Sequence, residues 1–132
     1  MNPWTPPVAA TLDIDHDILN LKGKGKWITT HIELPEGYNV SDIYISTIRL
    51  NGTISPESKP IVIGDYDSDG KADLMMKFNR YAVANCILQS VVSTEKFANV
   101  AFTITGRLKD GTLFEGTDII FVFYGKTGGK RK

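Results

Sequence analysis

The chain has little with which to do covalent chemistry. Cysteine occurs once, at position 86, and histidine twice, at 16 and 31, in 132 residues. One cysteine excludes an internal disulfide, so stability must come from the core and from any bound ion. Cys86 shares a helically spaced segment with Val83, Ile87, Leu88 and Val91, which predicts a buried, inert thiol rather than a nucleophile. No Gly-x-Ser-x-Gly, His-Glu-x-x-His or phosphate-loop pattern is present, and Gly-Lys-Gly at 23–25 is too short to cradle a phosphate. Charge of one sign is lacking too. Lys plus Arg and Asp plus Glu both number 15, so neither a basic surplus for nucleic acid nor an acidic excess typical of disorder exists. No apolar run is long enough to span a bilayer, and residues 1–7 have neither the basic start nor the apolar stretch of a signal peptide.

What is present is a succession of short β-patterned runs between turn residues, on a length that suits one domain with a real core. Residues 8–14 read as a first strand, 18–21 as a second and 27–34 as a third. In the third, Ile28, Thr30, Ile32 and Leu34 share one face; Trp27, Thr29, His31 and Glu33 share the other. Over 43–50, Ile43 and Ile45 are out of phase with Ile48 and Leu50, which predicts a bulge near Ser46 and Thr47. Asn79 can cap a short helix over 80–92. Val100, Phe102 and Ile104 alternate with smaller residues, an Asp-Gly turn follows at 110–111, and the return strand over 118–124 is apolar enough on both faces to suggest a central or doubly covered strand. Seven to eight strands, one short crossover helix and no βαβ alternation give an all-β, immunoglobulin-like two-sheet sandwich over residues 8–124. Residues 1–7 form an N-terminal extension and 125–132 a flexible basic tail.

The stretch that asks for a ligand is Asp-Tyr-Asp-Ser-Asp-Gly-Lys-Ala-Asp-Leu over 65–74. Asp65, Asp67, Asp69 and Asp73 fall at positions 1, 3, 5 and 9 of a calcium loop, with Gly70 at 6 and the Lys71 carbonyl at 7. Four carboxylates in one tight turn repel unless a hard cation sits among them. An EF-hand is excluded, because position 12 is Met76 and both flanks read as strands. Asp73 then becomes the candidate bidentate ligand of a site closed within nine residues, 65–73. Turn chemistry alone explains Asp69 and Gly70, yet gives no reason for the other three acids. Magnesium keeps more water than this donor set allows, and zinc would want histidine or cysteine. Around residues 13–17, Asp13, Asp15, His16 and Asp17 would make a second metal site; a polar turn explains them better, since imidazole is a poor calcium ligand.

The loop resembles the short Asp-rich calcium loops of integrin-type propeller repeats, thrombospondin type 3 repeats and dockerins. A wider resemblance runs over about residues 12–122. It is carried by Leu-Asn-Leu-Lys at 19–22, Gly-Lys-Trp-Ile at 25–28 and Ile-Glu-Leu-Pro-Glu-Gly-Tyr at 32–38. Ser-Thr-Ile-Arg-Leu-Asn at 46–51, Leu-Met-Met-Lys-Phe at 74–78 and Thr-Gly-Arg-Leu-Lys-Asp-Gly-Thr at 105–112 complete it. These segments are similar to accessory Ig-like domains near the C-terminal ends of bacterial and archaeal secreted or surface proteins, which implies a module without catalytic activity.

Together these readings predict a calcium-binding, non-catalytic, monomeric module of a secreted or cell-surface protein, with calcium as its only cofactor. Its partners would be neighbouring domains or a protein or glycan ligand, with no nucleic acid and no membrane span. Extracellular calcium is abundant enough for loops of modest affinity. The competing reading is a carbohydrate-binding or adhesion module using Trp4, Trp27, Tyr38, Tyr44 and Tyr66. His31 is expected at the surface, and Trp27 is expected to be covered by neighbouring side chains. The sequons at Asn39 and Asn51 are short enough to arise by chance.

Overall fold

Alternation of apolar and polar residues sets the architecture. The computed structural model describes residues 6–15, 18–20, 25–65, 70–90 and 97–123. The strands are β1 (Val8–Ala9), β2 (Thr11–Ile14), β3 (Ile18–Asn20), β4 (Trp27–Glu33), β5 (Ile43–Leu50), β6 (Val62–Gly64), β7 (Asp73–Asn79), β8 (Phe97–Leu108) and β9 (Leu113–Phe123). One sheet runs β2-β4-β7-β6, entirely antiparallel. The other runs β1-β9-β8-β5, with β3 also paired to β9. Because β8 holds the whole of one edge of β9, β1 and β3 share the opposite edge as one interrupted strand. The described residues thus form an all-β, two-sheet sandwich with four strand positions in each layer and one short helix.

The core lies where the two inner faces meet. Ile28, Ile32, Met76 and Phe78 come from one sheet; Phe102, Ile104, Phe114 and Ile120 come from the other, all of them buried. Thr30 also points inward, and its hydroxyl is satisfied by donating to the Met76 carbonyl at 3.2 Å. Helix α1 (Arg80–Ser90) carries the chain from β7 to β8 and buries Val83 and Ile87. Asn79 caps it by accepting the Ala82 N–H at 2.8 Å. Cys86 is half-buried rather than buried, because it lies off the line of Val83 and Ile87.

The expected bulge lies between Tyr44 and Arg49. The Thr47 hydroxyl stitches it: it donates to the Tyr44 carbonyl at 2.6 Å and accepts the Arg107 N–H at 2.9 Å. The two sequon asparagines serve turns. Asn39 accepts from Ser41, and the side chain of Asn51 accepts the Thr103 N–H at 2.8 Å. At the β8–β9 turn, hydrogen bonds from Thr112 hold the Asp110 carboxyl below its ordinary value of 3.8.

Two expectations need correction. Residues 8–14 are not one strand: β1 belongs to the second sheet and β2 to the first, with the chain crossing at Ala10. The Ala10 N–H still donates to the Glu115 carbonyl at 2.9 Å, and the Ile14 N–H reaches the Asp118 carboxylate at 2.9 Å, so the crossing is anchored on β9. Glycine at 116 permits it, since a Cβ there would lie 2.8 Å from the Ala10 carbonyl oxygen. Strand β9 is central in its sheet, as one of the two expected alternatives has it, but it is not doubly covered: Ile120 and Val122 are buried, whereas Ile119 is 65% exposed. Phe121 on that outer face packs against Phe97, with ring centroids 5.0 Å apart. Residues 1–5 of the extension, Tyr124 and the tail at 125–132 lie outside the described residues, as does the end of the helix expected over 80–92.

Gly116→Ala is expected to lower stability by about 1–3 kcal/mol, the usual cost of overpacking. Gly64→Ala, whose Cβ would meet nothing within 4 Å, should change it by no more than about 0.5 kcal/mol in the same denaturant titration. An NMR titration should place the Asp110 midpoint below 3.8. A depressed carboxyl stabilises the fold fully above its unfolded value and loses that contribution as pH falls through the folded one, so the turn weakens only in strong acid.

Candidate metal site

Two of the five expected ligands, Asp67 and Asp69, lie outside the described residues; Asp65, Lys71 and Asp73 lie within them. The two strands that carry the loop form the antiparallel pair expected, with Gly64 opposite Asp73 and Ile63 opposite Leu74. Asp65 therefore follows directly from a residue facing Asp73, and the first and last acids of the motif leave neighbouring strand ends. Gly70 has φ +84°, in the left-handed region, and its N–H donates to Oδ2 of Asp65 at 3.0 Å. This bond ties Gly70 to the first carboxylate of the motif, and glycine suits the left-handed backbone there. Asp73 is only 4% exposed, and burying a carboxylate is costly without hydrogen bonds or a cation beside it.

A hard cation fits this chemistry. Every donor is oxygen: carboxylates at 65, 67, 69 and 73 and the carbonyl at 71, a set that suits calcium better than zinc. Among the described residues no group of three or more His, Cys, Asp or Glu is gathered closely enough to hold a metal ion. Asp13 and Asp15 of the second acidic stretch lie on and just after β2, while His16 and Asp17 fall outside the described residues.

The motif opens onto a groove. The outward side chains of the β2-β4-β7-β6 sheet stand in cross-strand rows: Asp13, His31, Met75 and Val62 in one, and Thr11, Glu33, Asp73 and Gly64 in the next. Asp15 lies beside Thr29, its N–H on the Thr29 carbonyl at 2.9 Å, and Thr29 faces Lys77, whose ammonium reaches the Thr29 hydroxyl at 3.3 Å. Asp15, Thr29, Lys77, Asp65 and the His31, Met75, Val62, Asp73 and Gly64 members of these rows line a cavity of about 380 Å³. His31 takes the expected outward face but is 6% exposed rather than at the surface, because side chains of flanking strands crowd it. No residue pattern pointed directly to this groove; the nearest signal was the polar outward face of β4.

Among the described residues, the candidate aromatics Trp27, Tyr38 and Tyr44 stand on different parts of the surface. Trp27 points out of the first sheet and is 43% exposed rather than covered. Tyr44 is exposed on the outer face of the second sheet, and Tyr38 in the connection after β4. Trp4 and Tyr66 lie outside the described residues.

Gly70→Ala should destabilise the protein by about 1–2 kcal/mol through the left-handed backbone alone, since its Cβ would meet no atom within 4 Å; urea denaturation checks it. Among the described residues no helix is long and apolar enough to cross a membrane. Compared with protein-family models, with curated proteins and with solved structures, the chain matches none.

Proposed function

We propose that this chain is a calcium-binding, non-catalytic structural module in which the ion clasps the β6–β7 hairpin. The observation that carries the reading is the Gly70 N–H bonded to the Asp65 carboxylate at 3.0 Å, which ties position 6 of the acidic motif to its first acid. Asp65, Asp67, Asp69 and Asp73 with the Lys71 carbonyl would hold the ion. The ion supplies charge neutralisation at a turn that is otherwise dense in negative charge.

The mechanism is linkage. An ion that binds only the folded loop stabilises the fold by RT ln(1 + [Ca]/Kd), about 2.7 kcal/mol at a hundredfold excess over Kd. The reading extends to an accessory, Ig-like domain of a secreted or surface protein, where calcium is plentiful and where the module would connect or present neighbouring domains. The resemblance of the 19–22, 32–38, 46–51 and 105–112 segments to such domains supports this.

Thermal melts in EDTA and then in excess calcium test the proposal. Calcium should raise the melting temperature by several degrees, and Asp67→Ala with Asp69→Ala should remove the rise while leaving the EDTA melt little changed. An identical calcium response in the double variant would show the assignment to be wrong.

A further inference from the structure

The outer face of the β2-β4-β7-β6 sheet carries chemistry that a structural module does not need. Its cavity of about 380 Å³ lies within the range of small-ligand sites, roughly 300–1,000 Å³. The lining mixes functions within a short span. Carboxylates at Asp15 and Asp73 accept, the Lys77 ammonium donates, and the Thr29 hydroxyl does both. A sugar hydroxyl donates and accepts at once, so a site for it requires acceptors and donors side by side, as here. Met75 and Val62 add apolar surface between them.

One strand position pair further along β4, Trp27 stands on the same outward face as Thr29, with 43% of its surface open. An exposed indole beside a polar groove offers a flat apolar wall to the C–H face of a pyranose ring. Opposite it, on the groove's far side, Gly64 contributes no side chain, and a Cβ there would meet nothing within 4 Å, so that end stays open.

Charge narrows the occupant. Asp13, Asp15, Glu33, Asp65 and Asp73 share this face with Lys77. Uronates and sulfated sugars would be repelled and amino-bearing sugars attracted. We infer that this groove binds a glycan without negative charge, and binds amino sugars more tightly than neutral ones. The groove shares Asp65 and Asp73 with the calcium reading, whereas Asp15, Thr29, Lys77 and Trp27 belong to no loop ligand set, so the inference is tested at those residues.

The full chain, in calcium, is presented to immobilised chitosan oligosaccharides, neutral cello-oligosaccharides and acidic oligogalacturonates, and captured ligands are measured by calorimetry. Chitosan oligosaccharides should bind most tightly, cello-oligosaccharides more weakly and oligogalacturonates not at all. Trp27→Ala and Asp15→Asn should each weaken chitosan binding at least tenfold. The melting temperature and its calcium response should stay as in the parent, which separates this test from that of the metal. Absence of binding to both non-acidic glycans, equal binding of oligogalacturonates, or binding indifferent to both substitutions would overturn the inference. So would equal competition by spermine, which would reduce the groove to an acidic patch that ignores hydroxyls.

Discussion

Strand β9 must find hydrogen-bond partners along both of its edges, and how it does so ties the two layers together. One edge is filled by β8 through an unbroken antiparallel register from Phe97↔Phe123 to Arg107↔Leu113. The other is filled in two instalments, by β1 at Phe114 and Glu115 and by β3 from Phe121 to Phe123. Between these the chain leaves for the other sheet, where β2 pairs with β4. The gap is bridged by Ala10 on Glu115 and by Ile14 on Asp118, so backbone groups that would be unpaired where the chain changes layers are satisfied by β9. The inner faces then close on one core.

The candidate metal loop and the groove depend on that frame in different ways. The loop is local: a hairpin brings Asp65 and Asp73 to adjacent strand ends, and one left-handed glycine folds the turn back. The groove is assembled from four strands, and its opposite borders, Asp15 after β2 and Asp65 after β6, belong to the two outer strands of the sheet. Asp65 and Asp73 serve both, which places any cation in the loop at the rim of the groove. Occupancy of one site would therefore alter the field felt in the other.

Much of the frame was legible because it rests on local rules. Alternation fixed the inward face of β4, the phase conflict over residues 43–50 marked the bulge, Asn79 marked the helix start and Asp110 with Gly111 marked the hairpin. The metal motif was legible as spacing alone. The break at Ala10 was not, because its cause is a glycine at 116 with which the N-terminal segment has no local relation. His31 illustrates the same limit: the strand pattern turned it outward correctly, but its burial is decided by residues on β2 and β7. The two apolar faces of β9 fit a central or a doubly covered strand; β9 is central, and Ile119 on its outer face stands open. Periodicity tells which face a residue takes, not what stands over that face.

The parallel pairing of β1 and β3 with β9 has a mechanical consequence. The chain approaches β1 at the end of the sandwich where β9 starts and leaves from Phe123 at the other, about 30 Å away at the usual rise per strand residue. Tension applied between these two points would drag β1 and β9 past each other along their length. Their hydrogen bonds would bear the load together, in shear, instead of opening one at a time as in a peeled hairpin. A domain strung this way resists stretching along the line joining its ends.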